Sequence, residues 1–228
     1  MRFLICLFIF SLLSCNINNN NSEKNTSVQT TDIANIDSSS IFIDTFFYEI
    51  NDVKIENYDL HYCNRNPKEK VKLSSVKVSY LDLNGKYSTG ELIVHTDVSS
   101  EVVEIFRDIF NCEFRIEKMI PIFNYECSDD KSMGDNNTSA FNYRTISGSR
   151  KLSDHSFGKA IDINPIFNPH VKKNKISPPE GEQYLDRNKW QHGVIQRQDC
   201  VVEAFKSRGW QWGGDWKYSK DYQHFYKY

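Results

Sequence analysis

Hydrophobic and polar residues alternate along residues 76–83, "VKVSYLDL", where Val76, Val78 and Tyr80 share one face. "GELIVHT" (90–96) follows after the turn-rich "NGKYSTG". Two such stretches separated by turn residues predict a β-hairpin. The period then changes. In "SSEVVEIFRDIF" (99–110), Val102, Ile105, Phe106, Ile109 and Phe110 fall on one helical face, a serine precedes them, and Glu101 and Glu104 load the N-terminal end. That pattern predicts an amphipathic helix. "IFIDTFFYEI" (41–50) and "EFRIEKMIPIF" (113–123) read as strands, the second limited by Pro121, which cannot donate to a ladder. "GKAIDIN" (158–164) reads as a short strand with Ile161 and Ile163 facing one way and Ala160 and Asp162 the other. "DCVVEAFKSRGW" (199–210) predicts a helix with Gly209 near its C-cap, and "HFYKY" (224–228) a final strand. Two stretches break the pattern. Residues 127–150 are polar and read as a long loop, of the kind that is functional or disordered. Residues 164–190 are rich in Pro and Asn and read as a surface excursion. Strands and helices mix without regular βαβ alternation, so the fold class is α+β.

The N-terminus follows another logic. "MRFLICLFIFSLLSC" carries Arg2 and then an apolar run over residues 3–13. The run is shorter than the about 20 residues a membrane-spanning helix needs, and it has the length of a signal-peptide core. Its end, Leu12-Leu13-Ser14-Cys15, resembles the lipobox of bacterial lipoproteins, which implies that Cys15 carries lipid and becomes the first mature residue. Residues 16–40 are Asn-, Ser- and Thr-rich and lack aromatics, a composition that reads as a disordered tether. The expected organisation is a signal peptide over 1–15, a tether over 16–40 and one folded domain over 41–228. With 228 residues, a formal net charge of −2 and 39% hydrophobic residues, the chain has room for one such domain. The charge balance gives no reason to expect a nucleic-acid partner. An exported location permits disulfides among Cys63, Cys112, Cys127 and Cys200; three full pairings are possible and none forms a CxxC metal motif.

The candidate chemistry lies in "LSDHSFGKAIDINP" (152–165), which sets His155 and Asp162 seven residues apart in a small, apolar frame, and in "DYQHF" (221–225), which sets Asp221 three before His224. A zinc site with one open position needs three ligands of this kind and a base beside the bound water. His155, Asp162 and His224 are the candidate ligands and Asp221 the candidate base. A fourth protein ligand would make the zinc structural instead. The spare histidines, His95, His170 and His192, read as solvent-facing, and Trp212 reads as core at least as readily as cleft wall.

Taken together, these motifs resemble a known family. "SDHSFGKAID" fits the Ser-x-His-x-x-Gly-x-Ala-x-Asp signature of the zinc D-alanyl-D-alanine carboxypeptidases and their relatives, the L-alanyl-D-glutamate endopeptidases. "WGGDW" followed by "DYQHF", and "FNYR" ending at Arg144, are similar to further segments of that family. The resemblance covers roughly residues 73–228. It implies a Hedgehog/DD-peptidase-like fold, an antiparallel sheet with flanking helices around a single site holding one Zn²⁺ per chain. By the same resemblance His155, Asp162 and His224 are metal ligands, Asp221 is the general base, and Arg144 polarises the scissile carbonyl. Ser153, at the rim, either contacts substrate or caps local backbone, Trp216 walls the cleft as a substrate contact, and Gly158 lets the chain turn between two ligands. The implied activity is a metallopeptidase acting on peptidoglycan stem peptides, D-alanyl-D-alanine carboxypeptidase-like. Two alternatives stand beside it. One is the L-alanyl-D-glutamate endopeptidase activity, toward which Asp rather than Glu at position 221 leans. The other is a non-catalytic zinc-bearing domain on the same scaffold, as in Hedgehog proteins. The expected setting is an exported, monomeric lipoprotein facing the periplasm or cell surface, with wall peptides and a lipid-anchored membrane attachment as its contacts.

Overall fold

The computed structural model describes residues 46–53 and 71–228. The expected signal peptide, the tether, Cys15 and Cys63 lie outside the described residues. So does the first half of the strand expected over 41–50, whose described part begins β1 (Tyr48–Val53). β1, β2 (Leu73–Leu81) and β3 (Tyr87–His95) form an antiparallel sheet in that order, with β2 and β3 in register from Leu73↔His95 to Leu81↔Tyr87. The hairpin is closed by Asp82, whose carboxylate accepts the backbone N–H groups of Asn84 at 2.8 Å and Lys86 at 2.9 Å, while Gly85 takes φ +80°. These bonds also hold the Asp82 carboxyl below its usual pKa, the bond from Lys86 foremost. As the central strand, β2 is covered on both faces, so Ser75 and Ser79 are buried along with Val76 and Val78.

α1 (Ser99–Asn111) packs on β2 through the stripe read from the sequence; Val102, Ile105, Phe106 and Ile109 are fully buried. Each such side chain contributes about 1.5–3 kcal/mol of transfer free energy. α3 (Cys200–Lys206) packs against α1, and a disulfide joins Cys112, at the end of α1, to Cys200. Gly209 adopts φ +80° just beyond α3, as its place near the C-cap suggested.

The strand expected over 113–123 shrinks to β4 (Lys118–Met119), which pairs in parallel with β5 (Asn137–Thr138) before a 3₁₀ turn at Ile122–Tyr125. Side chains take over the ladder there. The Glu117 N–H donates to Asn164 Oδ1 at 3.0 Å and the Ile120 N–H to Asn137 Oδ1 at 2.9 Å. The polar stretch 127–150 is likewise no open loop. It holds α2 (Asp129–Gly134), capped by Ser128, then β5, and it buries Asn136, Asn137 and Asn142. Their amides serve as internal hydrogen-bond groups, which is why composition misread the segment.

Residues 158–228 build the remaining layers. β6 (Ala160–Asp162), β11 (His224–Tyr226) and β9 (Gln211–Trp212) form an antiparallel sheet in the order β6-β11-β9. The segment read as a surface excursion contains an antiparallel hairpin, β7 (His170–Lys172) with β8 (Lys175–Ser177), and β10 (Lys220–Asp221) pairs with β7. Asn164 and Asn168 staple this region from within: Asn168 Nδ2 donates to the carbonyls of Ile163 and Gly193, and its Oδ1 accepts the Ile195 N–H. Ile161 and Ile163 enter the main core, where Phe205 stacks on Phe225 with ring centroids 4.1 Å apart. The class is α+β as expected. Among the described residues the strands divide into three small antiparallel sheets and one parallel pair, rather than one sheet.

Candidate metal centre

β6 and β11 place His224 directly opposite Asp162. Because Ile161 and Ile163 occupy the core face, Asp162 projects from the other, where a polar side chain can be met. His155 arrives from the 3₁₀ turn Asp154–Phe157, which ends at Gly158 with φ +66°. A Cβ on Gly158 would lie 2.5 Å from the His95 backbone nitrogen, and the His95 N–H donates to the Gly158 carbonyl at 2.8 Å. Only glycine lets the turn press onto the end of β3, and this contact sets the height at which His155 enters the site.

His155 Nδ1 donates to the Ala140 carbonyl at 2.6 Å, which fixes the tautomer and leaves Nε2 as a lone-pair donor. Nε2 lies 3.2 Å from Asp162 Oδ2 and 3.2 Å from His224 Nδ1, and His224 Nδ1 lies 2.9 Å from Asp162 Oδ1. Ligand atoms of the three residues fall within 4.8 Å of one another, and all three residues are buried. A tetrahedral zinc bound at about 2.0–2.2 Å spaces its donors about 3.3–3.6 Å apart, slightly wider than seen here. Two imidazole nitrogens and one carboxylate, with no fourth protein donor in the group among the described residues, match an open zinc site rather than a closed structural one. The residues present therefore fit the ion.

The electrostatics agree. Burial alone would push the Asp162 carboxyl up, but His155 and His224 outweigh it and hold Asp162 well below the usual carboxylate range. Burial likewise opposes a charge on His155, and Asp162 reverses the balance, so His155 holds its proton to higher pH than a free imidazole. Metal and proton thus compete for the same nitrogen.

Asp221 ends β10, shortly before β11. Burial pushes its carboxyl up to about 7; His224 opposes the shift, Asp162 adds to it and Arg144 opposes it. Its Oδ1 is buried with no hydrogen-bond partner among the described residues. The close approach depends on Gly213, where a Cβ would lie 2.7 Å from Asp221 Cβ. A carboxyl poised near neutral pH beside three candidate ligands can both take and return a proton.

His170 departs from expectation. It is not solvent-facing but half-buried opposite Asp221 in the β7–β10 pair. Its Nδ1 lies 3.9 Å from Asp221 Oδ2 and its ring is edge-on to Trp216, with centroids 6.3 Å apart. Trp216 stands 5.8 Å from the His224 ring, donates its Nε1–H to Tyr226 Oη at 3.1 Å, and walls the site. Trp212 lies in the core. His192 is exposed, and His95, half-buried, accepts the Asp97 N–H.

The Arg144 backbone is tied to the ligand-bearing turn. Ser156 Oγ accepts its N–H at 2.9 Å and donates to its carbonyl at 2.7 Å, and the Ser153 N–H donates to the same carbonyl. The Arg144 charge opposes protonation of both His155 and Asp221. Its Nε contacts the Asp129 carboxylate, which also accepts the Asn142 amide at 2.6 Å. Sequence reasoning missed Asp129, since an acidic residue after Ser128 reads only as an ordinary helix start. Ser153 is buried rather than at the rim, and its hydroxyl does not cap the turn it begins. The anchoring hydroxyl is that of Ser156.

Residues 147–227 match the family model described as D-alanyl-D-alanine carboxypeptidase. The match bears out the resemblance over that span, which contains His155, Asp162, Asp221 and His224 and begins just after Arg144. No solved structure matches the chain.

Proposed function

We propose that the protein is a zinc-dependent peptidase that hydrolyses an amide bond of peptidoglycan stem peptides, D-alanyl-D-alanine carboxypeptidase-like, on a Hedgehog/DD-peptidase-like scaffold. One observation carries this reading: the donor atoms of His155, Asp162 and His224 converge on one buried point, with the buried carboxyl of Asp221, pushed up to about 7 by burial, beside them. His155 Nε2, His224 Nδ1 and the Asp162 carboxylate would hold the ion. When bound, zinc supplies Lewis acidity toward a water and toward the scissile carbonyl. Asp221 takes a proton from the attacking water and returns it to the departing amine. Water is thus added across the amide, hydroxyl to the carbonyl carbon and hydrogen to the nitrogen. Arg144, held by Asp129, offers its guanidinium to the negative charge that develops on the carbonyl oxygen. Trp216 excludes water from one side. The lipobox-like Leu12-Leu13-Ser14-Cys15 supports an envelope lipoprotein anchored through Cys15, with the wall in reach of its tether.

Asp rather than Glu at 221 favours a second reading, the L-alanyl-D-glutamate endopeptidase. The mature protein incubated with purified wall peptides, with and without chelator, separates the readings by mass spectrometry. Chelator-sensitive release of free D-alanine supports the first reading, and a cut after L-alanine supports the second. No cleavage with zinc bound leaves the non-catalytic domain and overturns both.

A further inference from the structure

We infer that His170 is a positioning residue for Asp221, holding the carboxylate of the base through its Oδ2 so that Oδ1 is left to move the proton. The inference rests on the peptidase reading above. β7 and β10 pair Asp221 directly with His170, and directly opposed residues project from the same face of a sheet. Nδ1 of His170 lies 3.9 Å from Oδ2 of Asp221, beyond a hydrogen bond but within reach of one after a shift of about 1 Å. Among the described residues no other basic side chain stands within ion-pair distance of this carboxylate. Both partners are otherwise incomplete: Asp221 Oδ1 and His170 Nε2 are buried without hydrogen-bond partners. Unpaired buried polar atoms are rare in native proteins, and here each of the two side chains carries one. Trp216 meets the His170 ring at 87° and stands beside the His224 ring as well, so the indole fixes the imidazole relative to the metal group. A carboxylate that must take a proton in one direction and give it back in another needs a fixed oxygen, and nothing else described here fixes it.

The test compares two amides of like polarity in the zinc-loaded mature protein. In His170→Asn the side-chain N–H stands near the place of Nδ1; in His170→Gln it stands near the place of Nε2. Turnover of wall peptide is measured as kcat and KM, alongside zinc per chain and melting temperature. The expected result is that His170→Asn stays within a few-fold of wild type. His170→Gln should lose kcat by on the order of 10–10²-fold, as expected for misplacing a catalytic group by about 1 Å, with KM and zinc content unchanged. Equal kcat in the two variants, a loss confined to KM, or zinc leaving together with activity would each overturn the role of His170 while leaving the peptidase reading intact. A wild-type protein that binds zinc but cleaves no wall peptide overturns the peptidase reading, and the role of His170 with it.

Discussion

Asp221→Asn tests the electrostatics of the site without any substrate. The replacement keeps the shape of the side chain and removes its titration. In the folded chain burial raises the Asp221 carboxyl from 3.8 to about 7. A carboxyl whose folded pKa lies above its unfolded value binds its proton more tightly in the native state. Stability is therefore lost as pH rises from about 4 to about 7 and changes little above that. The rise from 3.8 to about 7, at about 1.4 kcal/mol per pH unit, gives about 4 kcal/mol. Metal-free wild type and Asp221→Asn should thus be equally stable near pH 4. By about pH 7.5 the variant should be the more stable by about 4 kcal/mol, a melting difference on the order of 10 °C for a domain of this size. Asp162 and His155 titrate in both proteins, so to first order their contributions drop out of the difference. Saturating zinc should narrow the gap, because a cation beside the carboxylate favours its ionised form. The assay is thermal and urea unfolding of both proteins from pH 4 to pH 8 after chelation. A difference that stays flat across that range refutes the claim that Asp221 is a buried, proton-hungry base.

Further outcomes follow from the same geometry. His224→Ala or His155→Ala should lose zinc and turnover together, whereas Asp221→Ala should keep its zinc by atomic absorption while kcat falls by on the order of 10²–10⁴. Asp129→Ala should lower kcat/KM on wall peptide by on the order of tenfold or more, because Arg144 loses the carboxylate that aims it; normal kinetics in this variant would make the ion pair incidental. Replacing Cys112 and Cys200 by serine opens a cross-link spanning 88 residues and should remove about 4–5 kcal/mol of stability, read from the urea midpoint.

The sequence was most informative where one physical signal dominated. The period-two run in β2, the stripe of α1 and the alternation that turns Asp162 away from Ile161 and Ile163 each follow from side-chain geometry along one element. The meeting of His155, Asp162 and His224 was legible through the motif, not through spacing, since 62 residues separate Asp162 from His224. What was not legible depends on amides working inside the protein. Asn137, Asn142, Asn164 and Asn168 look like loop composition, yet they replace ladder bonds and staple turns. His170 and Asp129 escaped for a related reason: each acquires its partner only when distant segments pair, and neither sits in a distinctive local pattern.

The long gap between the candidate ligands also decides when the site can form. Synthesis proceeds from N- to C-terminus, so His155 and Asp162 emerge early and Asp221 and His224 only some 60 residues later. β11 supplies both the last candidate ligand and the central strand between β6 and β9. A chain that stops short of it holds two of the three candidate ligands and an unfinished sheet. On the reading proposed above, the candidate centre is complete only when its last segment is in place.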